Sequence, residues 1–210
     1  MNKIRMIALA ACMAATLDAS AQEQEIRLFS HRGGRMEHDE NTLSAFQASY
    51  DAGYRGFETD IRMTRDGALV ITHDSSLERT TDGTGTVEEK TEAEIRRLRT
   101  KQGNKVLFLD ELLEFLEGKE GLYVEFEMKT KPEALYPEER LHAYCDKLYD
   151  AVMAVKPADA TFVFTSGDYR GLRYLQAKHP GVDLLLITSK PCNDETIDLC
   201  KAMGIKRMGA

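Results

Sequence analysis

The chain has 210 residues, 42% hydrophobic and 30% charged, which is enough for one domain with a real core or two small ones and unlike a disordered chain. A formal net charge of −7 with no long basic tract argues against binding nucleic acid or anionic membranes through bulk charge. No apolar run reaches the roughly 18 residues of a membrane span. The cysteines at positions 12, 145, 192 and 200 form no CxxC pair, which excludes zinc-ribbon and thioredoxin-like motifs.

The N-terminus carries a basic start (Lys3, Arg5), an apolar Ala-rich run (Met6–Leu17) and a small–x–small site at Ala19-Ser20-Ala21. This pattern predicts a secretory signal over residues 1–21, cleaved before Gln22, and an exported, periplasmic or extracellular protein. A lipoprotein route at Cys12 is the alternative, on a shorter apolar run. The mature domain is then 22–210, keeping Cys145, Cys192 and Cys200. Of these, Cys192 and Cys200 are nearest for a disulfide, and three small buried side chains are the plain alternative.

Ile26–Ser30 alternates like a short strand and runs into His31-Arg32-Gly33-Gly34. Asn41-Thr42 caps a helix to about Ala52, with Leu43, Phe46 and Tyr50 at helical spacing and Gly53 as its stop. Gly56–Met63 and Leu69–Thr72 read as strands. Residues 75–105 are polar and rich in Gly, Thr and Glu, a loop-like insertion whose Arg96, Arg97, Arg99 and Lys101 read as a solvated face. Leu109, Leu112, Leu113 and Leu116 mark a helix, Leu122–Met128 a strand, and Leu141 to Val155 a long helix ended by Pro157. Strand Thr161–Thr165, a helix through Leu172 and Leu175, strand Asp183–Ile187, helix Glu195–Met203 and a last strand after Gly204 complete the order. Alternating strands and helices imply an α/β fold with parallel pairing, as a barrel or a doubly wound sheet.

One connection departs from this. Only Thr64-Arg65-Asp66-Gly67 separates two strands, which allows a hairpin and no parallel crossover. With Asp66-Gly67 as a two-residue turn, Met63 faces Val70, Ile61 faces Thr72 and Asp60 faces His73. Glu58 and Asp60, two apart on a strand, point to one face.

Four polar segments sit at or beyond the carboxyl ends of strands: His31-Arg32-Gly33-Gly34, Glu58-Thr59-Asp60, His73-Asp74, and Glu125 to Lys129. In α/β barrels that end carries the active site. Carboxylates from two strands form a hard oxygen site suited to Mg²⁺ or Ca²⁺. Two His, an Arg and a Lys around such a metal point to an anionic substrate with proton transfer at both ends, for which phosphodiester cleavage fits.

The run His31-Arg32-Gly33, Glu40-Asn41-Thr42-Leu43-Ser44-Ala45-Phe46, Gly53, Glu58-x-Asp60, Thr64-x-Asp66-Gly67, His73-Asp74, Arg79-Thr80-Thr81, Gly83-x-Gly85 and Glu127-x-Lys129 resembles the glycerophosphodiester phosphodiesterase family. The resemblance begins near residue 28 and is most specific through Gly85. It implies a TIM-type (β/α)8 barrel that hydrolyses a glycerophosphodiester to sn-glycerol 3-phosphate and an alcohol. It further implies a divalent metal on Glu58, Asp60 and Glu127, His31 and His73 as the acid–base pair, and Arg32 and Lys129 on the phosphate. A cyclic-phosphate-forming lyase or phospholipase D-like activity on lysophospholipids, or a non-catalytic headgroup-binding member, are the alternatives. Two positions depart from the family pattern: Asp39 stands where Pro is usual, and Glu125 where Asn is common. Glu125 reads either as a group behind the metal ligands or as a carboxylate turned to solvent. A complete barrel takes about 250 residues. Parallel strands are expected only near Ile26, Gly56, Leu122, Thr161, Asp183 and Lys206, so the barrel is expected to be C-terminally incomplete in this chain. A truncated fragment of this kind is expected to fold poorly.

Overall fold

The computed structural model describes residues 28–209; the leader-like segment 1–21, and with it the export expectation, lies outside the described residues. In chain order the elements are β1 (Phe29–His31), α1 (Leu43–Asp51), β2 (Gly56–Met63), β3 (Leu69–Ile71), α2 (Glu92–Ile95), α3 (Leu109–Leu116) and β4 (Tyr123–Met128). They continue with α4 (Glu138–Ala154), β5 (Thr161–Ser166), α5 (Tyr169–Lys178), β6 (Leu184–Ile187), α6 (Asp194–Ala202) and β7 (Arg207–Gly209).

The strands form one seven-stranded sheet in the order β1-β2-β4-β5-β6-β7, with β3 attached to β2. Every pairing along that path is parallel, and only β3 is antiparallel. Among the described residues β1 and β7 form the two ends of the path, so the (β/α) barrel is open and incomplete, as the sequence implied.

The strands alternate between two environments. On β4, Val124, Phe126 and Met128 are buried against α4 and α5 through Leu141, Tyr144, Leu148 and Leu172. Tyr123, Glu125 and Glu127 therefore face the inside of the barrel, where they are half-buried. Edge-to-face rings add to the outer layer, with Phe126 and Phe162 centroids 5.3 Å apart. Among the described residues no helix is long and apolar enough to cross a membrane.

The hairpin differs from the sequence expectation by one residue. Ile61 pairs with Ile71, Arg62 with Val70 and Met63 with Leu69. The loop holds three residues: the Thr64 N–H donates to the Ala68 carbonyl at 2.9 Å, and Gly67 takes φ +91°. A left-handed residue at the end of a three-residue loop is the usual way to close such a hairpin, and glycine reaches it without strain. The Asp60 carbonyl consequently accepts from the Thr72 N–H at 2.9 Å, and His73 lies just past the end of the ladder.

The polar segment 75–105 packs around a small core of its own, in which Leu77, Val87 and Ile95 meet Val70, Val106 and Phe108. Within it α2 starts from a capping box, Thr91 Oγ1 accepting from the Glu94 N–H while the Glu94 carboxylate accepts from the Thr91 N–H. Arg96 ion-pairs with Glu92, Asp110 and Glu111 and lies over the Phe108 ring. Asp39, the residue in the usual proline position, ties this segment to the β1–α1 loop by accepting from Thr100 Oγ1 (2.5 Å) and Asn104 Nδ2 (2.9 Å).

Candidate active site

Strand register brings the carboxylates together. His31 is level with Glu58 across β1 and β2, and Asp60 is level with Glu127 across β2 and β4. Neighbouring strands lie about 4.8 Å apart, so side chains of one face at the same level converge. One oxygen from each of Glu58, Asp60 and Glu127 lies within 4.8 Å of the others.

The turn after β1 frames this cluster. Arg32, Gly33 and Gly34 all have positive φ (53°, 74° and 99°). A Cβ on Gly33 would lie 3.1 Å from that of Ala45, so the loop can fold onto α1 only because the residue is glycine. Turned in this way, the Arg32 N–H donates to Glu58 Oε2 at 3.1 Å, and His31 Nε2 lies 3.5 Å from the same oxygen. The Arg32 guanidinium is buried between Asp60 (3.5 Å) and Glu40 (3.2 Å). Lys129, just beyond β4, places Nζ 2.8 Å from Glu127 and 3.3 Å from Asp60.

Burial, then the neighbouring Asp60 and Glu127, push the Glu58 carboxyl well above the usual carboxylate range. Burial also raises Glu127, against the pull of Lys129. Burial and Arg32 lower His31. Glu58 Oε1 and Asp60 Oδ1 are buried without a hydrogen-bond partner. Glu58 Oε1 has no donor beside it and Asp60 Oδ1 has only the Lys129 ammonium at 3.3 Å. Buried carboxylates that repel one another and are so sparsely hydrogen-bonded match what a hard divalent cation requires, so this donor set fits Mg²⁺ or Ca²⁺.

His73 approaches from the other side. Its Nδ1 lies 2.6 Å from Asp74 Oδ1. Burial raises the Asp74 carboxyl, but hydrogen bonds from Arg79 and His73 outweigh it and hold the group at about 2. Arg79 also clamps Glu40 through two hydrogen bonds, at 3.0 and 2.6 Å. Glu40 thereby links the Arg79–Asp74–His73 chain to Arg32. A cavity of about 430 Å³ opens beside this group, lined by His73, Glu127, Lys129 and Arg62 among others.

The seven residues singled out in the sequence (His31, Arg32, Glu58, Asp60, His73, Glu127, Lys129) thus surround one mouth of the barrel. Others there had no role in the site assigned. Asn41, left-handed at φ 58°, donates to Asp60 Oδ2 at 2.8 Å. Glu40 and Arg79 stood within the family-like run and had no other sequence signal, while Asp74 also stood in the polar segment at the end of its strand. Arg62 and the buried Glu88 had none. Glu125 lies level with Glu58 on the inner face, half-buried; burial raises its carboxyl while Arg207 offsets part of the effect.

A model described as the Glycerophosphoryl diester phosphodiesterase family matches residues 31–209. A glycerophosphodiester phosphodiesterase of Caldanaerobacter subterraneus subsp. tengcongensis is 36% identical over 123 residues, 54% of this chain and 50% of that protein. The chain spans about half the length of the curated relatives it matches. Among solved structures, an Oleispira antarctica phosphodiesterase, in complex with the product sn-glycerol-3-phosphate, shares the fold. Its TM-score is 0.77 at 23% identity over 87% of this chain and 74% of that one. A glycerophosphodiester phosphodiesterase from Agrobacterium tumefaciens superposes with a TM-score of 0.64 at 27% identity, covering 84% of this chain and 68% of that one. Because the family match takes in the whole mouth, from His31 on β1 to the strand ends beyond Lys129, the chain belongs to the glycerophosphoryl diester phosphodiesterase family.

Proposed function

We propose that this chain catalyses metal-dependent hydrolysis of glycerophosphodiesters to sn-glycerol 3-phosphate and an alcohol. The observation that carries the reading is the convergence of Glu58, Asp60 and Glu127, two of them with a buried oxygen that makes no hydrogen bond, between two histidines. These three side chains would hold the cation. When bound, it supplies positive charge to the phosphoryl oxygens as the nucleophile adds. Lys129 Nζ stands beside two of the carboxylates and adds a second positive charge to the same space. Arg32 would reach the phosphate from the β1 side while Glu40 and Asp60 hold its fork.

His31 and His73 divide the proton work. One takes a proton from the nucleophile as its oxygen bonds to phosphorus; the nucleophile is water, or the neighbouring glycerol hydroxyl, in which case water then opens the cyclic phosphate to glycerol 3-phosphate. The other gives a proton to the alcohol oxygen as its bond to phosphorus breaks. Asp74, bonded to His73 Nδ1, leaves Nε2 as the nitrogen free to face substrate.

The test is incubation of the chain with glycerophosphocholine, glycerophosphoethanolamine and a lysophospholipid, each with Mg²⁺, with Ca²⁺ and with chelator. Metal-dependent release of glycerol 3-phosphate is expected. No release from any of them, in a folded metal-loaded protein, defeats the reading. Export is proposed alongside, supported by the basic, apolar and Ala-x-Ala pattern of residues 1–21. N-terminal sequencing of the protein from its native host should begin at Gln22; an intact Met1 refutes it.

A further inference from the structure

Arg62 takes no part in the chemistry above, yet it touches two of the groups that do. Its side chain shares the inner face of β2 with Glu58 and Asp60. Nε donates to the His73 carbonyl at 3.0 Å, and Nη1 donates to the Lys129 carbonyl at 3.3 Å. Nη1 also meets Glu88 Oε1 at 2.8 Å. Glu88 comes from the segment 75–105 and is itself held by Ser75 Oγ (2.9 Å) and Tyr136 Oη (3.1 Å). Arg62 and Glu88 are each 7% exposed.

The location explains why such a device is needed. β3 and β4 pair with opposite edges of β2, and the ladders stop just before His73 on one side and at the Lys129 N–H on the other. The last backbone bonds are from the Thr72 N–H to Asp60 and from the Lys129 N–H to Ile61. Beyond them no ladder sets the distance between His73 and Lys129. A guanidinium is planar and presents its donors in a fixed fork, so one Arg can hold two carbonyls at a set spacing. A buried ion pair is weak evidence for added stability, since desolvation offsets much of the attraction.

We infer that Arg62, anchored by Glu88, is a positioning residue that sets the His73–Lys129 spacing across the mouth and couples segment 75–105 to turnover. The inference rests on the phosphodiesterase reading for its kinetic consequence, though not for its geometry.

The test uses the full chain and two variants. R62K keeps the charge against Glu88 but loses the fork. R62M/E88M removes both charges together, so no uncompensated charge stays buried if R62K fails to fold. With glycerophosphocholine and excess Mg²⁺ or Ca²⁺, R62K should lower kcat about 10–100-fold, the usual effect of a lost supporting group, with KM little changed. In the H73A background the same change should cost less than about threefold, because a residue acting through His73 has little left to act on. The imidazole NMR resonances of His73 should shift in R62K while those of His142, on the outer helix α4, stay in place. A folded R62K with parental kcat, or an equal loss with and without His73, overturns the inference. Unmoved His73 resonances overturn it as well. If the parent turns over no glycerophosphodiester, the phosphodiesterase reading fails, and the imidazole spectra alone decide the positioning role.

Discussion

The two halves of the sheet use one scaffold for different ends. In β1, β2 and β4 the inner face near the carboxyl ends carries His31, Glu58, Asp60 and Glu127, with Lys129 just beyond. In β5, β6 and β7 the corresponding region carries Thr165, Ile187 and Gly209. Both halves pair in parallel and bury apolar side chains under helices. The second half joins the main core through Phe162, Phe164, Leu172, Leu175 and Leu186, all nearly inaccessible. The second half buries one carboxylate, Asp168, paired with Arg170, whereas the first buries a cluster and answers it with specific partners: Asn41 on Asp60, the Arg32 N–H on Glu58, Lys129 between two carboxylates. The contrast teaches that one sheet can segregate its burden, the second half burying mostly apolar side chains and the first a cluster of mutually repelling carboxylates.

Changes at the charged mouth should strike activity first. Chelation is expected to abolish turnover in the folded protein, with Mg²⁺ or Ca²⁺ restoring it; full turnover in a sample that elemental analysis finds free of metal would refute this. His31→Ala and His73→Ala should each lower kcat by about 10²–10⁴-fold, the range for a lost general acid or base, and the parent should show a bell-shaped pH profile. A parental rate in either variant breaks the acid–base assignment.

Changes in the apolar half should strike stability instead. Leu172→Ala, at a fully buried site, should cost about 2–5 kcal/mol while turnover per folded molecule stays near parental. Denaturant titration alongside active-site counting separates the two quantities. A mutant that is stable yet inactive would erase the distinction between the halves.

Acidity sharpens the comparison from the other direction. Burial and the neighbouring carboxylates raise Glu58 in the folded chain. A raised carboxyl contributes stability that is present below its unfolded value of about 4.5 and is lost as pH rises through the folded value. Glu127 is shifted in the same direction. The metal-free protein should therefore melt lower as pH is raised from about 5 toward 8, and Glu58→Gln should raise its melting temperature at the upper end. Added Ca²⁺ or Mg²⁺ should stabilise most at the same upper end, because protons and cation compete for the same oxygens. A melting temperature independent of both pH and cation counts against a shared site. The smallest effect is expected at Arg96, whose side chain is 37% exposed: despite three ion pairs, Arg96→Ala should change stability by about 1 kcal/mol or less. A loss of several kcal/mol in denaturant titration would show that segment 75–105 hangs on that network.

Much of this was legible because it is local. Gly56–Met63 matches β2 residue for residue, since Phe57, Thr59, Ile61 and Met63 alternate with charged residues at strand period between Gly56 and the Asp66-Gly67 turn. Glu58 and Asp60 share a face by strand period alone, and Glu125 and Glu127 repeat the pattern on β4, with Lys129 just beyond it. The hairpin register was misjudged because a DG pair serves both a two-residue turn and the end of a three-residue loop; the Thr64–Ala68 backbone bond and the left-handed Gly67 select the second. The helix 92–95 was overlooked even though Thr91 and Glu94 stand at capping-box spacing, because a four-residue helix has no apolar period to reveal it.

The sequence by itself determined the order of elements, the parallel class of the sheet and the residue types at each strand end, because strand period, helical spacing and glycine punctuation act over a few residues. Only the tertiary structure decided which distant groups meet. Asn41 reaches Asp60, Glu40 bridges Arg32 and Arg79, and Glu88 crosses from segment 75–105 to grip Arg62. Those pairings depend on lateral register between strands about 4.8 Å apart and on loops folding back over them, and burial of polar groups then demands a partner wherever the fold has put one within reach.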